Sequence, residues 1–317
     1  MTVRPLDPAT ATTDMLDGVY EVSRLCQAEE SPAEPPRTRV EMEGFLLHVP
    51  ASDLREYWVA EDGGAIVGFG QLAGARKSPA PRVEVLVHPD ARRRGHGLAL
   101  LESVLRAARE RGARELIGVH ATEAGSHFAA RAGAADSQRE VRSLLRLPVE
   151  ASAAPVEGYA LESWVGAAPE RLLDSFARAR EAINDAPFPS DAELEEWDGA
   201  RVRALETALE RRNRDIRVTV ALADRDEVVA FTELRVSRPG STVANTEDTA
   251  VVAAHRRRGL GRWVKVESLR RLQADRPDVE LVTTVNAEEN EAILRLNRSL
   301  GFAPVSIQTS CVLQLQG

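Results

Sequence analysis

The chain of 317 residues is 28% charged and 43% apolar, which is typical of a folded globular protein and too apolar for a disordered one. Its length, about twice that of a common single domain, favours two domains. The net charge of −8 and the presence of only two cysteines argue against a basic nucleic-acid-binding domain, a disulfide scaffold and a Cys-rich zinc module.

The first half of the chain alternates strands and helices, and residues 149–158 have the small, Pro-containing composition of a linker. The apolar pattern before the linker predicts, in chain order, a strand at 3–7, helices at 12–27 and 37–49, strands at 57–62 and 65–73 joined by a turn at Gly63 and Gly64, a strand at 83–88, a helix at 95–111, a strand at 114–120, a helix at 123–132 and a closing strand at 141–147.

The second half repeats this order from Tyr159. Its pattern predicts helices at 169–183 and 192–213, strands at 216–223, 227–236 and 247–252, a helix at 260–274, a strand at 279–285, a helix at 287–300 and a closing strand at 305–315. Alternating strands and helices indicate an α/β fold with a mixed sheet in each half. We therefore predict one domain over 1–148 and a second over 159–317.

Two segments of nearly the same pattern show that the halves are related. One offset of 164 residues aligns Arg92 with Arg256 and Gly95 with Gly259, within the segments VEVLVHPDARRRGHGLALL and EDTAVVAAHRRRGLGRWVK. The β-branched run before each Arg triplet and the helical pattern after it also recur. The repeat predicts an internal duplication with one domain per copy.

The Arg-Gly turn in each copy has the composition of an anion site. A helix that opens at glycine has unpaired backbone N–H groups and a dipole that favours negative charge, and the neighbouring arginines add positive charge. A pyrophosphate fits such a turn. The two turns lack the Lys-Ser or Lys-Thr of a P-loop and the third glycine of a dinucleotide-binding turn, so neither of those motifs is present.

The remaining pattern, [RQ]xxGx[GA] after a strand, resembles that of the GNAT acetyltransferase superfamily. The second copy adds NAEENEAILRLNRSLGF, which is similar to the superfamily's later helix and its Leu-Gly-Phe turn. The order of motifs resembles the tandem GNAT proteins of actinobacteria. The resemblance implies two tandem GNAT-like domains, each a mixed, largely antiparallel twisted sheet flanked by helices, that use acetyl-CoA or another acyl-CoA and no metal.

The resemblance also implies which residues contact the acyl-CoA. Backbone N–H groups of each turn would hold the pyrophosphate, the preceding strand edge would pair with the pantetheine arm, and an Asn that opens the last helix would contact that arm. In the first half these positions are Leu86, Val87, Arg92, Arg93, Arg94, Gly95, His96, Gly97 and Leu98. In the second half they are Ala250, Val251, Arg256, Arg257, Arg258, Gly259, Leu260, Gly261, Arg262 and Asn290.

Acyl transfer to an amine needs a proton acceptor, a donor to the oxyanion and a proton for the leaving thiolate. The candidate acceptors are Glu84 in the first half and Asp248 or its neighbour Glu247 in the second. Neighbouring strand residues point to opposite faces, so only one of Glu247 and Asp248 is expected to face the cleft. Backbone N–H groups at a strand bulge are the expected oxyanion donors.

The residue that protonates the thiolate is missing from the pattern. Many family members have Tyr four residues before the Gly of the Leu-Gly-Phe turn, where this sequence has Asn297 in the second half and Ala129 in the first. Neither is an acid, so the thiolate is expected to leave onto water. Cys26 and Cys311 are predicted to be buried apolar residues and not nucleophiles.

The second half is predicted to be the working transferase, because the last helix of the first half, EAGSHFAARAGAAD, lacks the Asn and the Phe. The reverse assignment stays open because Glu84 and the first loop are intact. Five acidic residues between Asp191 and Asp198, with Trp197, suit a cationic amine, although a solvated helix start explains them equally well.

The sequence therefore favours an N-acetyltransferase that transfers an acetyl group to a primary amine of a small molecule or peptide, by direct attack in a ternary complex. Two alternatives remain: a non-catalytic acyl-CoA-binding or regulatory protein, and a mycothiol-synthase-like acetyltransferase. We expect no nucleic-acid or membrane partner and a cytoplasmic location, since the chain has no apolar run of the about 18 residues that a membrane span needs. A monomer with an internal pseudo-dimer and a homodimer are both compatible with the repeat.

Overall fold

The chain forms two compact units in the computed structural model, which describes residues 1–190, 194, 196–238 and 240–315. The described residues of unit 1 are 1–139, 188–190 and 306–315, and those of unit 2 are 140–187, 194, 196–238 and 240–305. In this part of the chain, no helix is both long and apolar enough to cross a membrane.

The strands and helices follow the predicted order, except that the second half begins with a strand, Ala160–Val165, that the prediction did not include. The first half contains β1 (Thr2–Leu6), α1 (Thr13–Glu30), α2 (Arg39–Leu47), β2 (Asp53–Asp62), β3 (Ala65–Ala75), β4 (Arg82–Val87), α3 (His96–Glu110), β5 (Glu115–His120), α4 (Glu123–Ala132) and β6 (Ala135–Arg146). The second contains β7 (Ala160–Val165), α5 (Leu173–Arg180), α6 (Gly199–Arg211), β8 (Arg214–Leu222), β9 (Val228–Ser237), β10 (Val243–Val251), α7 (Leu260–Asp275), β11 (Leu281–Ala287), α8 (Glu291–Ser299) and β12 (Ala303–Gln314).

Local sequence signals explain where several elements begin and turn. Thr38 starts α2 with a capping box, in which its side chain accepts from the backbone of Glu41 and the Glu41 side chain accepts from the backbone of Thr38. Gly63 and Gly64 join β2 to β3 with φ angles of 59° and 84°. Two successive positive φ values favour glycine and produce the tight turn of a hairpin, as predicted.

Each unit has a mixed, largely antiparallel sheet, which confirms the predicted fold class. The strand order is β1-β2-β3-β4-β5-β12 in unit 1 and β6-β11-β10-β9-β8-β7 in unit 2. The β4–β5 and β10–β11 pairs are parallel, and the other pairs within each unit are antiparallel.

Helices cover both faces of each sheet. In unit 1, α1 and α2 pack on the face that contains Tyr57 and Phe69, and α3 packs on the face that contains Trp58 and Leu72. In unit 2, α5 and α6 pack on the face that contains Phe231, and α7 packs on the opposite face. Side chains alternate between the two faces of a regular strand, so residues two apart on a strand share a face. The helix contacts of the buried residues therefore identify the face on which their alternate neighbours lie.

The units differ from the predicted halves in their closing strands. Residues 140–146 of β6 pair with β11 in unit 2, and residues 309–314 of β12 pair with β5 in unit 1. Each half of the sequence therefore donates its last strand to the unit built mainly from the other half. The predicted boundaries of 1–148 and 159–317 missed this exchange because the alternating pattern of a strand does not specify which sheet it joins. The predicted linker, 149–158, belongs to unit 2.

Candidate active site

Two loops with the same backbone conformation connect a strand to the next helix in each unit. We call residues 92–98 the first anion loop and residues 256–262 the second anion loop. Gly95 and Gly259 have left-handed φ angles of 90° and 88° and directly precede α3 and α7. Arg93 and Arg257 also have positive φ angles, of 65° and 62°. Such paired left-handed turns direct several N–H groups towards one point.

Both anion loops leave a helix N-terminus open. Neither Gly95 nor Gly259 provides a side-chain cap to the helix that follows. The first N–H groups of an α-helix have no partner within the helix, and the helix dipole adds partial positive charge there. A Cβ built at Gly95 would meet no atom within 4 Å, and one at Gly259 would meet only Val156 at 3.9 Å. The outer side of each loop therefore has room for an anion.

The first arginine of each loop fastens it to the preceding strand. The Arg92 Nε donates to the carbonyl oxygen of Val87 at 3.2 Å, and the Arg256 Nε donates to that of Val251 at 2.9 Å. Their outer nitrogens pair with Glu29 and Asp185, respectively. Both guanidinium groups thus form bonds within the protein that stabilise the loop. Four exposed side chains supply the remaining positive charge: Arg93, Arg94, Arg257 and Arg258.

Three other residues predicted to contact the pyrophosphate can do so only through their backbone N–H groups, because their side chains have other partners. His96 is buried, with its Nε2 3.5 Å from an Asp62 oxygen. Leu260 is a core residue. The Arg262 guanidinium donates to the Ser152 carbonyl at 3.1 Å and to the Ser299 hydroxyl at 2.8 Å. The N–H groups of these residues still belong to the first turn of α3 or α7.

The parallel strands next to each loop separate along their length. Pairing between β4 and β5 is limited to Arg82 with Ile117, and pairing between β10 and β11 covers only residues 243–245 with 281–283. Residues 83–87 and 249–251 remain paired with β3 and β9 on their other side. Each unit therefore has a split beside the strand edge on which an extended ligand was predicted to pair, at Leu86 and Val87 or at Ala250 and Val251.

A β-bulge is present beside the split of unit 2. The β9–β10 register shifts between Thr246 and Thr249, so Glu247 and Asp248 together oppose one residue of β9. The β3–β4 ladder of unit 1 runs without a shift from Arg82 to Val87. The expected bulge is therefore present in the second half.

The bulge brings both predicted carboxylates of unit 2 into one charge cluster, which we define as Arg180, Glu233, Arg235, Glu247 and Asp248. Arg180 donates to Glu233 at 2.6 Å and to Asp248 at 2.9 Å. Arg235 donates to the other Glu233 oxygen at 2.7 Å and lies 3.5 Å from Glu247. The bulge interrupts the alternation of a regular strand, so both carboxylates join this cluster, and which of them faces the cleft stays a prediction.

Burial divides the charge cluster into a core and a rim. Glu233 and Arg180 are 0% and 2% exposed, whereas the Glu247 and Asp248 side chains are 32% and 31% exposed. Burial by itself would raise the pKa of Glu233, but the charges of Arg235 and Arg180 outweigh it and lower the pKa to about 2. The buried part is thus permanently ionised, and the two rim carboxylates are the ones that a ligand can reach.

Arg180 and Glu233 were missed by sequence reasoning. Glu233 interrupts the apolar run VVAFTELRV, and such a charge within a buried strand is a visible signal. Arg180 ends α5, and its guanidinium lies 3.9 Å from the centre of the Trp197 ring. Trp197 thus contributes to the site. Asp198 caps α6 by accepting from the Arg201 backbone at 2.7 Å, while Asp191, Glu193 and Glu195 lie outside the described residues.

The last helix of unit 2 contains the remaining predicted residues. Asn290 caps α8, its side chain accepting from the Ile293 N–H at 3.3 Å. Asn297 is 1% exposed and donates through Nδ2 to Asn286 at 2.8 Å, while its Oδ1 is buried without a hydrogen-bond partner. No acidic hydrogen is present at this position. Cys26 and Cys311 are buried, and burial raises both thiol pKa values, that of Cys26 to about 11.

The corresponding region of unit 1 contains fewer charges. Glu84 lies on β4 opposite Gln71 of β3, on the face covered by α1 and α2. Surrounding protein raises the pKa of the Glu84 carboxyl, and the charges of Arg37 and Arg55 oppose that rise. Gln71 occupies the place that Glu233 has in unit 2, since each lies two residues after a buried Phe on the corresponding strand. The predicted site residues of the two halves therefore have different chemical surroundings.

Comparison with protein families gives a match over residues 16–133 to the acetyltransferase (GNAT) family. The chain is 30% identical to a mycothiol acetyltransferase of Nocardiopsis dassonvillei, over 92% of each chain. It is 29% identical to a mycothiol acetyltransferase of Mycolicibacterium vanbaalenii, over 78% of this chain and 79% of the relative.

Solved structures show the same architecture. A tandem GNAT protein from the clavulanic acid biosynthesis pathway superposes with a TM-score of 0.82 and 25% identity, over 100% of this chain and 99% of the other. A GCN5-related N-acetyltransferase from Sphaerobacter thermophilus superposes with a TM-score of 0.67 and 16% identity, over 100% and 96% of the two chains. The second likeness concerns the fold alone.

Proposed function

Because this chain belongs to the GNAT acetyltransferase family, with two GNAT units in tandem, we propose that it transfers an acetyl group from acetyl-CoA to a primary amine of a small molecule, and that unit 2 performs the transfer. The observation that carries the proposal is the bulge of β10. Its two residues, Glu247 and Asp248, carry the partly exposed carboxylates of the charge cluster and lie on the strand that borders the split.

The residues of unit 2 fit an acyl-CoA in three places. The open N–H groups of the second anion loop bind the pyrophosphate, and Arg257 and Arg258 add charge from the loop surface. The free edge of β10 at Ala250 and Val251 pairs with the pantetheine arm, and Asn290 lies at the start of the helix on the other side of the split. When bound, acetyl-CoA supplies an activated thioester carbonyl.

The charge cluster favours a cationic acceptor. It contains three carboxylates and two guanidinium groups, so a net negative charge remains next to the bulge. An incoming ammonium group is attracted by this charge and gives its proton to Asp248 or Glu247, directly or through water, which leaves the neutral amine that attacks. The backbone N–H groups of the bulge donate to the oxyanion that develops on the carbonyl.

Asn297 has no proton to give to the leaving thiolate, so water supplies it. This assignment agrees with the polar pair that Asn297 forms with Asn286 in place of an acid. The direct attack of the amine in a ternary complex also agrees with the absence of a usable thiol, since the pKa of Cys26 is raised to about 11 and that of Cys311 is raised as well.

The relatives that are named mycothiol acetyltransferases support a small-molecule acceptor, because one of them is 30% identical over nearly the whole chain. A second candidate function, acyl-CoA binding without turnover, is favoured by two observations. Asp248 is paired with Arg180, and the position of the family's Tyr is Asn297. Both candidates need the second anion loop, whereas turnover alone needs the rim carboxylates.

The test combines acetyl-CoA binding with a screen of primary amines for free-thiol release, for the wild type and Asp248→Asn. Turnover that falls 30-fold or more in the variant, with acetyl-CoA affinity within twofold of the wild type, supports transfer by unit 2. Asn retains the shape of Asp and removes its ability to accept a proton. Binding of acetyl-CoA without turnover of any amine supports the second candidate. A wild type that does not bind acetyl-CoA contradicts both.

A further inference from the structure

Several polar side chains lie together on the α1 and α2 face of the unit 1 sheet, and we call the surface that they form the unit 1 cleft. Tyr57, Gln71 and Glu84 are aligned across β2, β3 and β4, and Arg55 lies two residues before Tyr57 on the same face of β2. Tyr57 belongs to the buried cluster with Phe69 and Leu86, and Gln71 and Glu84 lie two residues from Phe69 and Leu86 on their strands. Glu84 is exposed although its strand is interior to the sheet, so this part of the face is open to solvent.

Arg55 makes no salt bridge in this cleft, although the charge of Glu84 acts on it. Its guanidinium lies 3.8 Å from the centre of the Phe45 ring and donates to the Phe45 carbonyl at 3.4 Å. Among the described residues, no carboxylate forms an ion pair with it. Burial lowers the pKa of Arg55, and its interactions with Tyr57 and Asp53 oppose that fall. Arg37 lies 5.5 Å from the same ring and adds a second, exposed cation.

The floor of the cleft presents an unused hydrogen-bond acceptor. Gln71 is 8% exposed, and its side-chain oxygen is buried without a hydrogen-bond partner. Glu84, directly opposite on β4, is a second acceptor when ionised. A buried polar atom without a partner costs free energy, and such atoms in native proteins commonly mark a place where a ligand or water binds. The cleft thus combines an arginine that makes no salt bridge with one buried acceptor, the Gln71 side-chain oxygen, that lacks a donor.

We propose that the cleft formed by Arg37, Arg55, Gln71 and Glu84 binds an amino-acid-like molecule, with a carboxylate on the arginines and an N–H group on Gln71 and Glu84. A phosphate alone satisfies the arginines but offers no N–H donor to Gln71. Phe45 confines the carboxylate because it packs against both guanidinium groups. The proposal goes beyond acetyl transfer by unit 2 and does not depend on it.

The two units thereby select opposite charges. The charge cluster of unit 2 contains one more carboxylate than guanidinium groups, whereas the unit 1 cleft has two arginines and one carboxyl group. A ligand of the unit 1 cleft is therefore distinguished from the acceptor of unit 2 by its carboxylate. An amide of the same ligand lacks the charge but keeps the N–H group and the size.

The experiment is ligand-observed NMR on the full chain with pooled standard L-amino acids and, separately, with their amides. Saturating coenzyme A is present, so that the anion loops are occupied. The variants are Arg55→Met, which keeps an apolar stem over Phe45, and Arg55→Lys, which keeps the charge but not the planar fork. Arg24→Gln is the matched control, because Arg24 is a surface arginine of the same unit that pairs with Glu21.

We expect at least one amino acid to bind the wild type and Arg24→Gln equally, and its amide to bind at least tenfold more weakly. Both Arg55 variants should bind the amino acid at least tenfold more weakly than the wild type. Arg55→Met should melt at the same or a higher temperature, since it removes an unneutralised charge from a partly buried place. The proposal is wrong if no amino acid binds, if amides bind as well, if the Arg55 variants bind normally, or if Arg55→Met melts at a clearly lower temperature.

Discussion

The two anion loops are nearly identical, whereas the clefts beside them have diverged. The φ angles of Gly95 and Gly259 differ by only a few degrees, and Arg92 and Arg256 make the same bond to the preceding strand. The neighbouring strands differ: β10 has a bulge with two carboxylates, and β4 is regular with Glu84 alone. A loop made by glycines and backbone donors survives duplication with little change, because few side chains determine its shape.

The helices that follow the two loops also differ in the side chains that they present. Leu101 on α3 and Lys265 on α7 occupy equivalent positions, and both are buried. Likewise, a Cβ added at Gly97 would lie 3.0 Å from the Phe128 ring, whereas one at Gly261 would lie 3.6 Å from Leu296. The backbone of the two anion loops is therefore the same, and the side chains packed around them and along the following helices are specific to each unit. The following experiments test this division.

The largest effect is expected from Gly259→Asp. An Asp at a φ of 88° is strained, and its carboxylate repels the pyrophosphate from the open helix start. We expect a loss of roughly 1,000-fold in kcat/KM for acetyl-CoA, about 4 kcal/mol of binding and activation free energy. Gly95→Asp should leave turnover within threefold. Gly166→Asp is the strain control, since Gly166 has a φ of 82° and open space around it. Equal losses from Gly95→Asp and Gly259→Asp would show that both units contribute to turnover.

Lys265→Leu introduces the residue that unit 1 has, and it should stabilise unit 2. Burial lowers the pKa of Lys265 from 10.5 to about 7. Between these pH values the unfolded chain holds a proton that the folded chain has lost, so wild-type stability rises with pH from about 7 to 10.5. Below pH 7 both states are protonated and the folded state bears the full cost of the buried ammonium.

The gain in unfolding free energy from Lys265→Leu should therefore be greatest at pH 6, up to about 4 kcal/mol, and should shrink towards pH 10. Denaturant unfolding at pH 6, 8 and 9.5 measures it. Lys77→Leu, at an exposed loop position, should show no such dependence. A gain that does not vary with pH would mean that Lys265 is solvated in the folded protein.

Glu233→Gln should destabilise unit 2 by about 3 kcal/mol, because it leaves Arg180 and Arg235 with less countercharge in a buried place. Glu233 has a pKa of about 2 in the folded chain against 4.5 ordinarily, so its contribution is complete above pH 5 and is lost only as the pH falls towards 2. The difference between variant and wild type should be constant from pH 5 to 8. Glu162→Gln, in an exposed pair with Arg171, should cost less than about 1 kcal/mol.

The smallest effect is expected from Glu84→Gln. If unit 2 performs the transfer, this variant should keep kcat within twofold of the wild type in the free-thiol assay, although Glu84 lies beside an intact anion loop. A drop of more than tenfold would reverse the assignment of the two units and make unit 1 the site of proton transfer.

The anion loops were accessible from sequence because their shape depends on local residue types. Gly95 and Gly259 occupy left-handed positions that favour glycine, and each follows a β-branched strand and precedes a helical pattern. The duplication was also accessible, since one offset aligns both loops. These features require no knowledge of distant contacts.

The charge cluster was only partly accessible, because it depends on register and on long-range packing. Asp248 and Glu247 were predicted from the repeat, but the bulge that unites them is an irregularity of pairing that residue types do not mark. Arg180 reaches Asp248 from a helix far away in the sequence. The buried position of Lys265 is visible in the sequence. Lys265 lies on the same apolar stripe of its helix as Leu269 and Leu272, which are both buried.

The exchange of closing strands has a consequence for biosynthesis. His120 pairs with Thr309. The last strand of the unit 1 sheet is therefore synthesised only after unit 2, and the sheet stays incomplete until then. Contacts between such distant residues form slowly, and an unfilled strand position is a template for association with other chains. A fragment that ends at the linker would lack β12, which completes the unit 1 sheet. It would still contain β6, which pairs with β11 in unit 2. We therefore expect each half to need the closing strand of the other to complete its sheet.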